Sequence, residues 1–426
     1  MLFFLYDILF PLLFLLYLPF YLVHIFRRGG LTREYWQRFG FFGKDIRQRL
    51  ASLDSKVWVH AVSVGESVAA VTFIRAWQKA HPKDNVVFSC GTSTAFETMR
   101  KKALPDVTLI YCPFDFFWAV RTALKVVAPH TLVIFEVEIW PNLIRMANKR
   151  GIKVCLVNGR MSDKSSAGYA KWSCVFRPIF NSFSTLCVQT EEDTKRIERV
   201  IGSSERIAVC GTMKFDQVPD VGTADVTSVL DSTFGTGQRI TFVVGSTHPG
   251  EEELICQAVA DIRKAHPELK MVLVPRHCER ANEVAAVVEK HGLSCRMLKG
   301  EDAAKAGQVD VLLVNTTGEL MNYYGAADVA YVGKSLAGQT GGHNIIEPAI
   351  FGKAIIHGSH MENFRAVAEL FRNAEASVEV VQESDFEGAL LRLVENPAER
   401  ERLGKNARGL VDKYRGAIDR TIQAIG

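Results

Sequence analysis

Thirteen short runs rich in β-branched residues constrain this chain more than any other feature. Each is followed by a stretch whose apolar residues fall at helical spacing. The first set runs from "VWVHAV" through "NVVFSC", "VTLIYC", "TLVIFEVE", "KVCLVNG" and "TLCVQ" to "RIAVCG". The second runs from "RITFVVGS" through "KMVLVPR", "DVLLVN", "DVAYVG" and "KAIIHG" to "SVEVV". Strands that recur with helices between them build parallel sheets covered on both faces. Gly, Thr, Asp and Pro cluster in "QVPDVGTADVTSVLDSTFGTGQ", residues 217–238, where the pattern pauses. The reading is therefore α/β, with two Rossmann-like domains facing a cleft. The first spans residues 27–216 and the second residues 239–426, joined by a 217–238 linker, with the last helix able to pack back on the first domain. A chain of 426 residues is long enough for both to bury their own cores.

The first 26 residues, "MLFFLYDILFPLLFLLYLPFYLVHIF", are a different material. Apart from Asp7, His24, Pro11 and Pro19 they are apolar, and about 20 such residues span a bilayer as a helix. No small-residue cleavage site follows, so the segment reads as a membrane anchor, 1–26. Between Arg27 and Arg49 seven Lys/Arg face two acids, a flank that stays on the cytoplasmic side and attracts anionic headgroups. A helix lying in the interface is the alternative to a spanning one, because two prolines interrupt the run. The formal net charge of +4 is too small to argue for nucleic acid. The nine cysteines are scattered, mostly in apolar runs, which suits buried thiols and neither a disulfide framework nor a zinc site.

In open α/β sheets ligands sit at the carboxyl ends of the strands, so the residues after each run matter most. Gly65-Glu66 follows the first, where a carboxylate is either a helix cap or a base. Glu136 and Glu138 follow the fourth and, two apart, share one face if they lie on a strand. Lys214 follows the seventh. In the second half Arg276 follows "LVP", Gly318-Glu319 marks a strand-to-helix turn, and a glycine-rich loop precedes a helix starting near Asn344 with Glu347 in its first turn. Helix-start N–H groups and arginine bind phosphate, and such a carboxylate can accept both ribose hydroxyls. There is no P-loop, no early G-x-G-x-x-G and no D-x-D.

These segments resemble the bacterial 3-deoxy-D-manno-octulosonic acid (Kdo) transferases of lipopolysaccharide synthesis, glycosyltransferases of the GT-B type. The resemblance rests on "HAVSVGE", "EVEIWPN", "NGRMSDKSSAGY", "QTEED", "GTMKFD", "GSTHPGEE", "LVPRHCER", "TTGEL" and "GGHNIIE", in that order along nearly the whole chain. It implies CMP-Kdo as donor, a lipid A precursor in the inner membrane as acceptor, and inversion at the anomeric carbon. It implies Glu66 as general base, with Glu136 and Lys214 stabilising the transition state. It implies CMP contacts from Pro275 and Arg276, from Thr317, Gly318 and Glu319, and from Asn344, Ile345, Ile346 and Glu347. No cofactor and no metal are expected. A GT-B transferase using another nucleotide sugar on a lipid acceptor is the alternative reading.

Overall fold

The computed structural model describes residues 2–27, 32–102, 104–216, 225–300 and 308–426. Arg28 of the basic flank and residues 217–224 of the expected linker lie outside them. Two compact units result, one from Met1–Gln217 with Arg415–Gly426, the other from Val218–Tyr414.

The first unit is a parallel sheet of β1 (Lys56–Ala61), β2 (Asn85–Cys90), β3 (Val107–Tyr111), β4 (Thr131–Phe135), β5 (Lys153–Gly159), β6 (Thr185–Val188) and β7 (Ile207–Val209), in the order β3-β2-β1-β4-β5-β6-β7. Alternate residues of each strand enter separate cores, as a period of two requires. Val57, Val59 and Ala61 pack on one face with Val133 and Phe135. Trp58, Leu132 and Ile134 pack on the other. Helices cover both faces, which is why these strands read as unbroken apolar runs. The Arg415–Gly426 segment returns to this unit. The Asp216 carboxylate accepts from Gly416 N and Ile418 N, both at 2.7 Å, and Ile418, Ile422 and Ile425 join the first core.

The second unit holds β8 (Ile240–Thr247), β9 (Leu269–Pro275), β10 (Cys295–Met297), β11 (Val311–Leu313), β12 (Val329–Val332), β13 (Ala354–Gly358) and β14 (Val378–Val380), ordered β10-β11-β9-β8-β12-β13-β14 and again parallel. Two elements depart from the sequence reading. β10 was not expected, because Arg296 interrupts its apolar run; the guanidinium instead turns to the Ser232 carbonyl at 3.0 Å. Thr227–Phe234, placed in the linker, is a helix whose Leu230 and Phe234 are buried in the second unit.

The chain leaves the adjacent strands β1 and β4 of the first sheet, and β8 and β12 of the second, in opposite directions. Loops on either side of such a point diverge and leave a crevice at the strand ends.

A candidate two-part site at the strand ends

In the first unit Glu66 stands three residues into the Val64–Ala80 helix that follows β1. Its carboxylate accepts from Val62 N at 2.9 Å and Ser63 N at 3.2 Å, while Ser63 Oγ accepts from Glu66 N at 3.2 Å. This is a reciprocal capping box, and it accounts for Glu66 structurally without any chemistry.

β4 ends at Phe135, one residue before Glu136, whose φ of 55° is left-handed. The two glutamates therefore do not alternate along a strand, and the shared-face argument does not hold. A non-glycine residue in this conformation costs of order 1 kcal/mol and turns the chain sharply. The turn keeps Glu136 and Glu138 near Glu66. Burial, reinforced by the Glu66 charge, raises the Glu136 carboxyl above its usual range. The same causes, with Glu136 added, push Glu138 up to about 7.

Lys214 reaches this group from β7, four strands from β1. Gly211 N donates to the Val188 carbonyl, and Met213 N donates to Asn158 Oδ1 at 3.2 Å, which draws the segment back over β6 to the end of β5. Asn158 is itself left-handed, with φ of 53°. Burial lowers the Lys214 ammonium; the Glu136 charge opposes that and the Arg160 charge reinforces it. Glu66, Glu136 and Lys214 thus gather at one edge, as the sequence reading placed them. Glu138 and Arg160 complete a mixed-charge cluster. Arg160 was not singled out, although it lies inside "NGRMSDK" directly after a strand.

In the second unit one buried carboxylate organises the switch point. Glu251 accepts from His248 N at 2.9 Å, Lys334 N at 2.8 Å, Ser335 N at 3.0 Å and Tyr331 Oη at 2.7 Å. It thereby ties the loop after β8 to the loop after β12. Gly333 is needed here, since a Cβ would strike the Ser246 carbonyl. The result brings His248 Nε2 to 3.0 Å from His343 Nε2, with the His277 ring 5.9 Å from that of His248. Two imidazole nitrogens at that distance share one proton. Burial and nearby cationic groups, Lys334 and Arg276 among them, lower both rings, His343 to about 4. These histidines were missed singly, though "GSTHPGEE", "LVPRHCER" and "GGHNIIE" each carry one at a strand end.

Pro275 closes β9, and Arg276 is exposed beside it, its N–H on the Thr247 carbonyl at 3.1 Å. Thr317 and Gly318 are exposed after β11, and Glu319 accepts from Asn322 Nδ2 at 3.0 Å. The expected helix near Asn344 is only four residues, Ile346–Ala349. Its first N–H is taken by Asn344 Oδ1 at 3.1 Å, and Glu347 N by the Asn344 carbonyl. The glycine-rich loop spends its N–H groups internally too, Gly341 N on Glu362 and Gly342 N on the Lys334 carbonyl. These four N–H groups are thus engaged within the protein, and Arg276 and Lys334 are the nearby cationic side chains. Ile345 and Ile346 are fully buried. Burial pushes Glu347 up to about 7, opposed by Asn344 and Arg276. The buried Thr247 and Thr316 hydroxyls have no partner among the described residues, a state a polar ligand would relieve.

Among the described residues no group of three His, Cys, Asp or Glu side chains is arranged to hold a metal.

Residues 33–217 match a family model for 3-deoxy-D-manno-octulosonic-acid transferase (kdotransferase). The 3-deoxy-D-manno-octulosonic acid transferase of Bordetella pertussis is 31% identical over 414 residues, covering 94% of each chain. That of Haemophilus influenzae is 29% identical over 393 residues, covering 91% of this chain and 90% of its own. In architecture the chain is similar to UDP-GlcNAc 2-epimerase from Neisseria meningitidis, with a TM-score of 0.53 at 12% identity over 84% of this chain and 99% of that one. That likeness concerns the fold alone, two parallel α/β units of the GT-B class.

Proposed function

Because the chain belongs to the 3-deoxy-D-manno-octulosonic acid (Kdo) transferase family, and is thus a glycosyltransferase of lipopolysaccharide synthesis, we propose that it transfers Kdo from CMP-Kdo to a lipid A precursor with inversion. The observation that carries this reading is the gathering of Glu66, Glu136 and Lys214 at one strand-end edge. Inversion needs a base to take the acceptor hydroxyl's proton as the new C–O bond forms. Glu66 takes it through the lone pairs its two backbone bonds leave over. Positive charge develops on the sugar ring in the transition state, and Glu136 stabilises it electrostatically. The Lys214 charge favours the ionised form of Glu136, opposing its burial and the Glu66 charge.

Donor binding belongs to the second unit. Pro275, Arg276, Thr317–Glu319 and Asn344–Glu347 hold CMP, with Glu347 accepting from the ribose hydroxyls. Arg276 and Lys334 balance the charge of the leaving phosphate. The acceptor is a membrane lipid. Phe3–Phe20 has a mean hydropathy of 2.0, which makes it long and apolar enough to cross a bilayer. We place the protein at the inner membrane with both units on the cytoplasmic side.

Mass spectrometry of a tetraacylated lipid A precursor incubated with the protein and a CMP-Kdo supply tests donor, acceptor and copy number together. An adduct of one or more Kdo residues is the expected product. An unmodified precursor, with UDP displacing bound ligand better than CMP, would replace the donor.

A further inference from the structure

The helix Leu2–Arg27, α1, does not stand clear of the first unit. Tyr6 Oη donates to Asp115 Oδ2 at 2.9 Å, and Asn142 Nδ2 donates to Asp7 Oδ1 at 2.7 Å. Arg145 sits with its Cζ 4.5 Å from the Phe3 ring and pairs with Asp7 at 3.5 Å. Further along, Phe10 lies 5.4 Å from Phe116, and Phe14 lies 5.1 Å from Phe114. Positions 3, 6, 7, 10 and 14 form one helical face, fastened along its length. The opposite face is bare, with Phe4 70%, Leu13 62% and Leu16 75% exposed.

That bare face continues onto the α/β unit. Trp118, 50% exposed, stacks on Phe116 at 4.8 Å, and Trp36, 47% exposed, lies 5.8 Å from Phe39, beside Phe14. At the other end of α1 a groove of about 440 Å³ opens against the Pro141–Lys149 helix. Phe3, Phe117 and Met146 give it apolar walls; Arg145, Lys149 and Arg150 give it cations, against the single carboxylate of Asp7. Arg145 Nε is buried there without a partner among the described residues.

Resting on the reading of α1 as a membrane element, we propose that it does not cross the bilayer. Its outer face, with Trp36 and Trp118, lies in one leaflet, and the cationic groove holds the headgroup phosphate of an anionic phospholipid from that leaflet. Were Phe3–Phe20 to span the hydrocarbon, about 30 Å thick, Asp7 would leave Asn142 and Arg145 and enter lipid as an unpaired charge. Alternatively Asp115, Asn142 and Arg145 would be dragged in with it. A helix lying in the interface keeps every one of these contacts and still removes its bare face from water. A protein partner is disfavoured because the bare face carries no charge among the described residues, and its rim is cationic, as a lipid surface of anionic charge requires. The groove is also not the acceptor's reacting end. Lys149 and Arg150 lie at the far end of a nine-residue helix, about 13 Å from its start near Glu136.

The test uses the full chain carrying a protease-cleavable tag before Met1, in sealed inside-out vesicles that expose the cytoplasmic face. Added protease should remove the tag as fast as it does in detergent. A tag protected inside the vesicle makes α1 a spanning helix and overturns the proposal, while leaving membrane attachment intact. Protein that washes off the vesicles overturns attachment as well. The headgroup site is read by flotation at limiting lipid on phosphatidylcholine vesicles with and without phosphatidylglycerol. The preference for the anionic vesicles should fall roughly tenfold in Lys149→Gln/Arg150→Gln, two exposed positions, and little in Lys101→Gln/Lys102→Gln, an equal loss of charge elsewhere. Equal falls in both variants would reduce the groove to non-specific attraction and sink that part of the proposal.

Discussion

Glu66 is asked to do two things. As the fourth residue of a capping box it satisfies two backbone donors that otherwise lack partners at the helix start. As a base it must keep enough proton affinity to act. The two roles separate by substitution. Glu66→Gln keeps the shape but cannot take the proton, so single-turnover transfer at saturating acceptor should fall about 10²–10⁴-fold. Ser63→Ala removes the reciprocal partner and leaves the carboxylate. It should cost about 1 kcal/mol in a thermal melt while turnover stays within a few-fold. A Gln variant with near wild-type transfer would leave Glu66 as a cap and make Glu136 or Glu138 the next base to test. Glu347 offers a second test. Its folded carboxyl titrates at about 7 against an ordinary 4.5, so its protonated form is the one folding favours. Its contribution to stability is complete below about 4.5 and is lost as pH rises through about 7. Ribose hydroxyls donating to it would favour the ionised form, so CMP should bind more tightly above pH 7, with proton release. Glu347→Gln should flatten that dependence in calorimetry, and Glu347→Ala should weaken CMP by roughly 1–3 kcal/mol.

At the scale of elements, two terminal helices belong to the first unit for different reasons. The Ala417–Ile425 helix is held by Asp216 and by three isoleucines in the core. Each buried isoleucine is worth about 1.5–3 kcal/mol, so deleting residues 415–426 should destabilise the first unit severely and leave CMP binding nearly untouched. Limited proteolysis with a CMP titration reads both effects; equal loss in the two would show that the helix supports the second unit as well. α1 is fastened from outside by Tyr6, Asp7 and the Phe10–Phe116 and Phe14–Phe114 contacts. Deleting residues 1–26 should leave a folded, CMP-binding protein with less activity on membrane-embedded acceptor. A truncated chain that fails to fold without detergent would make α1 part of a core.

For the whole molecule, two units with separate cores predict that a ligand of one stabilises that one. CMP at a hundredfold excess over its Kd should raise the second unit's stability by about 2.7 kcal/mol and shift its melt by several degrees. A calorimetric trace in which CMP moves both transitions equally would mean the units unfold together. If Arg276 and Lys334 balance the charge of the leaving phosphate, as proposed, transfer should persist in chelator. Activity abolished by EDTA and restored by Mg²⁺ would point to a metal at the Glu136–Glu138 turn.

The α/β class, the two-unit plan and the residues at most strand ends are legible in the chain's own pattern. Buried parallel strands write continuous apolar runs, and whatever follows such a run stands at the edge where ligands bind. Local pattern also marked Glu66, because a capping box is made within four residues. Tertiary structure alone decided which strand-end residues meet. Lys214 reaches Glu136 only because Asn158 and Val188 draw its segment back over the sheet. His248 and His343, 95 positions apart, touch only because Glu251 ties their loops together. It also decided that Glu136 turns out of its strand, and that Gly341 N in the loop before Glu347 is held by Glu362. Contacts between distant segments depend on strand order and on which buried group satisfies which donor, and neither is written in a local run of residues.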